Sequence, residues 1–319
     1  MSEKVIKSYK AFDKNMQCRG FQYEVGKEYK MDGEIKCCER GFHACKSPME
    51  VWDHYDMLSS RFAEVEQSGK IYEEGNSTKV CSSHIKIKAE LKLADIINIG
   101  VERLKDITSP TKVKATGTLN DSSGDYAKIG SSGNYAQIGS SGNYAQIGSS
   151  GDYAQIGSSG NYAQIGSSGY YAKIGSSGDD AQIGSSGYYA QIGSSGNYAQ
   201  IGSSGDYAKI GSSGNYAQIG SSGYDAQIGS SGDDAQIGSS GDYAQIDSTG
   251  EDSVIMCAGN NSRAKAKVGS WITLAEWEWN DEKNRYVPVC VKTEYVDGEN
   301  IKADTWYQLK NGEFVEVTE

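Results

Sequence analysis

The sequence contains no run approaching eighteen consecutive apolar residues, and its start, Met1-Ser2-Glu3-Lys4, leads into none. Neither a membrane span nor a secretory signal is expected. A cysteine framework is also missing. The seven Cys are an odd number without regular spacing, which suits a reducing cytoplasm better than a disulfide scaffold. Positive charge is short as well. The net charge is −11, and residues 121–246 hold ten Asp against three Lys (Lys128, Lys173, Lys209), with no Arg, Glu, His or Cys. Naked nucleic acid requires phosphate-neutralising cations and is not expected as a partner of that segment. Acid–base or nucleophilic catalysis needs a group that titrates near working pH, or a nucleophile beside a base, and the segment offers neither.

What fills the middle of the chain is a repeat. Fourteen near-identical nine-residue units run from Asp121 to Ile246 and read Gly-Ser-Ser-Gly-x-Tyr-Ala-x-Ile, as in Gly130 to Ile138. So short a unit cannot bury an apolar face alone and must stack on its copies. Counted from the first Gly, positions 1–4 carry turn chemistry, with Gly supplying positive φ. Positions 6–9 read as a short strand. Position 6 is Tyr in eleven units and Asp at Asp180, Asp225 and Asp234, while position 8 is Gln or Lys. Carboxylates and ammoniums are too costly inside a dry stack, so Tyr and Gln are expected outside, with Ala and Ile as core.

One turn and one strand make half a coil. The predicted fold class is mainly β: a two-faced parallel β-solenoid with two nonapeptides per coil and about seven coils, about 34 Å long at ~4.8 Å per coil. Alternate units fall on alternate faces. One face is expected to carry Tyr135, Tyr153, Tyr171, Tyr189 and Tyr207 as a ladder. The other carries Tyr126, Tyr144 and Tyr162, then Asp180, then Tyr198 and Tyr216. A coil of three six-residue sides is excluded, because a nine-residue period would not superimpose equivalent positions on three walls. Calcium β-rolls use Asp at position 6 to hold the ion. Tyr stands there in most units, so neither calcium nor any other cofactor is expected.

The flanks differ from the repeat. Residues 1–114 read as a small α+β domain, 115–268 as the solenoid and 269–319 as an all-β C-terminal cap. Ser47-Pro48-Met49-Glu50 has a helix-start signature, predicting an amphipathic helix through Val51, Trp52 and Tyr55. Arg61 to Glu66 and His84 to Leu93 read as strands. A helix over Leu93 to Ile107 is expected to cover the open end of the first coil. After degraded units come strands from Trp271 to Trp279 and Arg285 to Val296, then a hairpin turning at Asn311-Gly312. Both flanks are expected to cap unpaired strand edges.

The N-terminal segments Cys18-Arg19-Gly20-Phe21-Gln22-Tyr23, Gly41-Phe42-His43-Ala44-Cys45 and Arg61-Phe62-Ala63-Glu64-Val65 carry a resemblance. So do Ile301-Lys302-Ala303-Asp304-Thr305-Trp306-Tyr307 and Gly312-Glu313-Phe314-Val315-Glu316-Val317. With them, the chain resembles a family of uncharacterised bacteriophage and prophage proteins. Members carry a nonapeptide array between the two ends, and here that array is richer in Tyr and Ile. The resemblance implies phage origin and a bacterial host cytoplasm, and it brings no assigned activity.

Two further groupings carry candidate chemistry. Cys18, Cys37, Cys38, His43 and Cys45 are the best metal constellation, but their spacing lacks the paired Cys-x-x-Cys of zinc knuckles, so no metal is assigned. Tyr9-Lys10-Ala11-Phe12, Gly41-Phe42-His43, a helix and the strand from Arg61 loosely resemble the strand order of small ADP-ribosyltransferase domains. Lys10 stands where those folds place His or Arg, and no catalytic acid is evident. The favoured reading is a non-enzymatic binding protein for a host or viral protein, possessing no membrane contact, with inhibition of a defence or nucleic-acid enzyme as its specific form. In it, the Tyr135–Tyr207 ladder makes contact, and Asp179, Asp180, Asp225, Asp233 and Asp234 supply charge complementarity. Seven net negatives over ~34 Å are about a third of the density of duplex DNA, which argues against electrostatic mimicry of DNA. The alternatives are a virion or self-assembling scaffold that forms a homo-oligomer, and a degenerate ADP-ribosyltransferase-like N-terminal domain.

Overall fold

The structure, a computed structural model, describes residues 4–36, 39–73, 78–108, 121–122 and 124–318. The chain divides into two compact units, Met1–Gly100 and Val101–Glu319. No described helix is long and apolar enough to cross a membrane.

The first unit is antiparallel. The long strand Lys79–Leu91 pairs along one edge with Arg61–Glu73 and along the other with Phe42–Cys45 and Glu28–Lys30. Arg61–Glu73 pairs in turn with Ile6–Phe12, which meets Phe42–Cys45 at Tyr9–Cys45, so the pairings close into a ring. Phe12, Tyr23, Phe42, Ala63, Val65, Ile85 and Ile87 form its core. Gln67 is buried among them and satisfied: its amide donates to the Phe42 carbonyl at 2.8 Å, and its oxygen accepts from Ser8 at 2.7 Å. The helix expected after Ser47 is a single 3-10 turn, Met49–Asp53, without a side-chain cap. Asp56 explains the early stop. Its carboxylate accepts from the backbone of Leu58 and Ser59, at 2.9 and 2.8 Å, and offers those N–H groups a turn in place of a helix.

The second unit is the solenoid, of about eight turns. Two sheets run its length, one of eleven strands and one of ten, parallel except at their C-terminal ends, and each strand of the nonapeptide array pairs with the strand eighteen residues on. Two nonapeptides make each coil, as the repeat predicts. Each typical strand is Gln-Ile-Gly-Ser, positions 8, 9, 1 and 2, as in Gln191–Ser194. The Ala and Ile side chains of successive units are buried in one continuous core.

Three local expectations need correction. The strand begins at position 8, and Tyr at position 6 sits in the turn with φ between 55° and 61°. The Tyr rows therefore run along the two edges of the stack and leave the broad faces to Gln and Gly. Inward alternation over positions 7, 9 and 2 also buries a Ser. Ser158, Ser176, Ser194, Ser212 and Ser230 are almost wholly enclosed, and their hydroxyls make no protein hydrogen bond. Finally, the glycine at position 4 is not the residue with positive φ. It is needed because stacked backbones touch there: a Cβ on Gly196 would lie 2.0 Å from the Gly178 carbonyl oxygen one coil below.

The helix Leu93–Ile107 forms where expected. Its residues 101–107 lie against a broad face of the stack. Leu104 and Thr108 lie against the glycines at position 1 of the eleven-stranded sheet, where a Cβ on Gly157 or Gly175 would come within 2.4 or 3.0 Å of them. The matching glycines of the ten-stranded sheet, Gly130 to Gly238, face open space in a shallow trough of about 1280 Å³ bordered by the Gln rows.

The C-terminal strands continue both sheets. Trp271–Asn280 pairs in parallel with Val254–Cys257 and antiparallel with Arg285–Tyr295, ending one sheet. The other ends on the hairpin Tyr307–Lys310 and Glu313–Glu316, whose Asn311-Gly312 turn has positive φ at both residues, as the sequence predicts.

One buried charge in this unit gives a pH prediction. Asp247 stands at position 1, which is Gly in thirteen of the fourteen units, and lies 3.1 Å from Lys265. Burial, partly offset by Lys265, raises its carboxyl to about 6 from 3.8. A raised folded-state value means stability is full below about pH 4 and declines as pH rises to about 6; two units correspond to roughly 3 kcal/mol. Asp247→Asn is expected to remove this decline. Its stability relative to the parent should therefore grow between pH 4 and pH 7 in paired thermal melts, and a constant difference would refute the assignment.

Candidate functional site

The corners of the repeat carry the residues that its pattern singles out. At position 5, Asn or Asp accepts a backbone hydrogen bond from the next coil, as Asn161 does from Asp179 at 3.0 Å and Asp206 from Tyr224 at 2.8 Å. This ladder fixes the turn, and position 6 follows it in the left-handed conformation. On one edge Tyr135, Tyr153, Tyr171, Tyr189 and Tyr207 stack ring on ring at 4.9–5.0 Å, with planes within 10°. Asp225 interrupts position 6, but Tyr224 bridges the gap, 5.8 Å from Tyr207 and 5.1 Å from Tyr243. The result is one aromatic row of seven rings. Tyr170 and Tyr188, at position 5, form a shorter second track on the same edge.

The predicted residues therefore separate. Asp225 joins the five predicted tyrosines on this edge. Asp179, Asp180, Asp233 and Asp234 lie on the opposite edge, where Asp180 and Asp234 break the row of Tyr126, Tyr144, Tyr162, Tyr198 and Tyr216. The charge of Asp180 raises the pKa of the Tyr162 hydroxyl. Sequence reasoning missed Tyr224 and Tyr243 as members of the long row. The signal was present in the Tyr-Asp order of 224–225, an inversion of the usual Asn-Tyr or Asp-Tyr.

A different kind of site lies in the first unit. A cavity of about 660 Å³ is lined by residues from Tyr9 to Lys79. Ser8, Lys10 and Phe12 share one face of their strand, and Lys10 is 4 % exposed. Its amine donates to the His43 carbonyl at 3.0 Å and to Cys18 Sγ at 3.4 Å, and lies 5.6 and 5.5 Å from the ring centres of Phe12 and Tyr23. Cys18 Sγ in turn meets the Tyr55 hydroxyl at 2.9 Å. Burial lowers the Lys10 pKa and raises those of Tyr23 and Tyr55. His43 falls to about 4, first through burial and then through Lys10, Arg19 and Lys79. At neutral pH the cavity thus presents a neutral imidazole and two protonated phenols.

Residues 6–99 match a family model described as Domain of unknown function (DUF7666). The cavity lies wholly within that domain. Neither a curated protein nor a solved structure matches the chain. Of the metal constellation, Cys18, His43 and Cys45 all line the cavity, while Cys37 and Cys38 lie outside the described residues. Among the described residues, no three His, Cys, Asp or Glu side chains are arranged to hold a metal ion.

Proposed function

We propose that the chain is a phage-encoded, non-enzymatic binding protein whose solenoid engages a host or viral protein along its seven-ring aromatic edge. Inhibition of a host defence or nucleic-acid enzyme in the bacterial cytoplasm is the specific form of this reading. One observation carries it. Every position 6 has positive φ, a conformation that costs an ordinary residue roughly 1–2 kcal/mol and suits Asp or Asn better than Tyr. Asp180, Asp225 and Asp234 serve the same turn, so folding does not require Tyr there. Ring stacking returns only about 0.5–1.5 kcal/mol per pair. Turn stability alone therefore gives no reason for eleven tyrosines.

Exposure and chemistry point the same way. The ladder rings are between 36 and 68 % exposed. Tyrosine is enriched at interface centres because it offers large amphipathic area with few rotamers. Asp152, Asp206, Asp225 and Asp242 lie at the corners of the same edge and favour a partner with basic side chains.

The test is affinity capture from infected host cells. A variant with Tyr135, Tyr153, Tyr171, Tyr189, Tyr207, Tyr224 and Tyr243 each replaced by Asn keeps a residue suited to the turn and should lose its partner. The matching Asn variant of Tyr126, Tyr144, Tyr162, Tyr198 and Tyr216 should retain it. Equal capture by both variants would overturn the proposal, and recovery of further copies of this chain alone would favour the scaffold reading.

A further inference from the structure

The cavity of the first unit is basic in an acidic chain. Lys10, Arg19, Arg40 and Lys79 line it against Glu39 and Asp53, while the whole chain carries −11. The charges of Lys10, Arg19 and Lys79 all act on His43, so their fields converge on one place. The opposite quality marks one wall, where Phe21, Tyr23 and Phe42 pack edge to face at 4.8–6.3 Å, with Tyr29 against Phe21 and Tyr23 and with Phe21 43 % exposed at the rim.

Lys10 is the anomaly. A buried amine is ordinarily paired with a carboxylate, because removing an ammonium from water is costly. The hydrogen-bonding partners of this one are a backbone carbonyl and a thiol. A Met would fill the same space without that cost, so packing alone does not explain the amine. A volume of about 660 Å³ falls in the usual range of small-molecule sites, which combine apolar walls with a few convergent polar groups.

We propose that this cavity binds a small organic anion with an aromatic body, its acid group completing the coordination of the Lys10 amine and its body resting on Phe21, Tyr23 and Phe42. The phenols of Tyr23 and Tyr55, held protonated, serve as further donors to the acid group. Arg19, at the mouth, draws the anion in. This site is independent of the solenoid edge and involves no covalent step.

Isothermal titration of the full chain with 1-naphthyl phosphate and 1-naphthoate tests the proposal and separates a phosphate head from a carboxylate one. At least one of them should bind with one site per chain, and inorganic phosphate and 1-naphthol should each bind at least about tenfold more weakly. Lys10→Met should lose about tenfold or more in affinity while its melting temperature is unchanged or raised. Arg19→Asn alters an exposed residue with φ 52°, a conformation Asn accepts, and guards against a folding defect in the first variant; it should weaken binding several-fold. Absence of binding by either naphthyl acid, or full affinity in both variants, would overturn the site.

Discussion

Gly196→Ala should break the stack, whereas Gly202→Ala, six residues further on, should leave it intact. At Gly196 the added methyl would lie 2.0 Å from the oxygen and 2.5 Å from the carbon of the Gly178 carbonyl, and 3.0 Å from the Asp179 nitrogen. All three are backbone atoms of the coil below, so no side chain can move to make room. Relief would require parting two coils whose strands are held by hydrogen bonds at ~4.8 Å spacing. Overpacking in a core that can adjust costs about 1–3 kcal/mol; a backbone clash should cost about 3 kcal/mol or more. Nothing lies within 4 Å of the corresponding point on Gly202, and its φ is not left-handed. Ala there restricts the unfolded chain and should be neutral or stabilising by about 0.4–1 kcal/mol. Urea midpoints followed by circular dichroism compare the two. Since long arrays lose two-state behaviour, hydrogen exchange in the coils around residue 196 is the firmer readout. Equal effects at the two positions would show that coil spacing does not depend on position 4.

Deletion of residues 271–319 should convert the chain into an end-to-end associating species. The deletion uncovers the strand edges of Val254–Cys257 and Arg263–Lys265, and with them Ile255, Cys257 and Ala264, which pack in one core with Ile272, Leu274, Tyr307 and Leu309. A parallel strand edge beside an open apolar core is a template for another chain. The intact terminus avoids this in two ways. Arg285–Tyr295 includes Pro288, which lacks an N–H, and a register shift opposite Glu276/Trp277. Glu313–Glu316 ends in charges, with Lys292 bound to Glu313 and Lys302 to Glu316. Sedimentation velocity over a concentration series should show large, concentration-dependent species for the truncated chain. A truncated chain that sediments as a monomer throughout would show that the C-terminal strands are not a cap.

The eighteen-residue coil was legible because a nine-residue period with inward Ala and Ile admits few closures. Helix Leu93–Ile107 and the Asn311-Gly312 hairpin were legible for equally local reasons: helical periodicity in one, residues that accept positive φ in the other. Tyr at position 6 misled because Tyr is no signal for left-handed backbone. Its alternation with Ala and Ile looked like the start of a strand that begins two residues later. Ser at position 2 was read as turn chemistry although its side chain points inward. The cavity was hidden for another reason. Its lining comes from segments spread between Tyr9 and Lys79, and only the closed ring of strands brings Lys10, Cys18, His43 and Tyr55 together.

Period, composition and the polarity of each position by themselves determined that this chain stacks in two-unit coils with isoleucine inside. The tertiary structure alone decided that the tyrosines stand at the edges, that the position-4 glycines cannot change and that a lysine amine is enclosed without a carboxylate. The reason is distance along the chain. A repeat states its own pattern within nine residues, but the shape of each corner depends on a backbone eighteen residues away. The setting of Lys10 depends on strands that meet only when the ring closes.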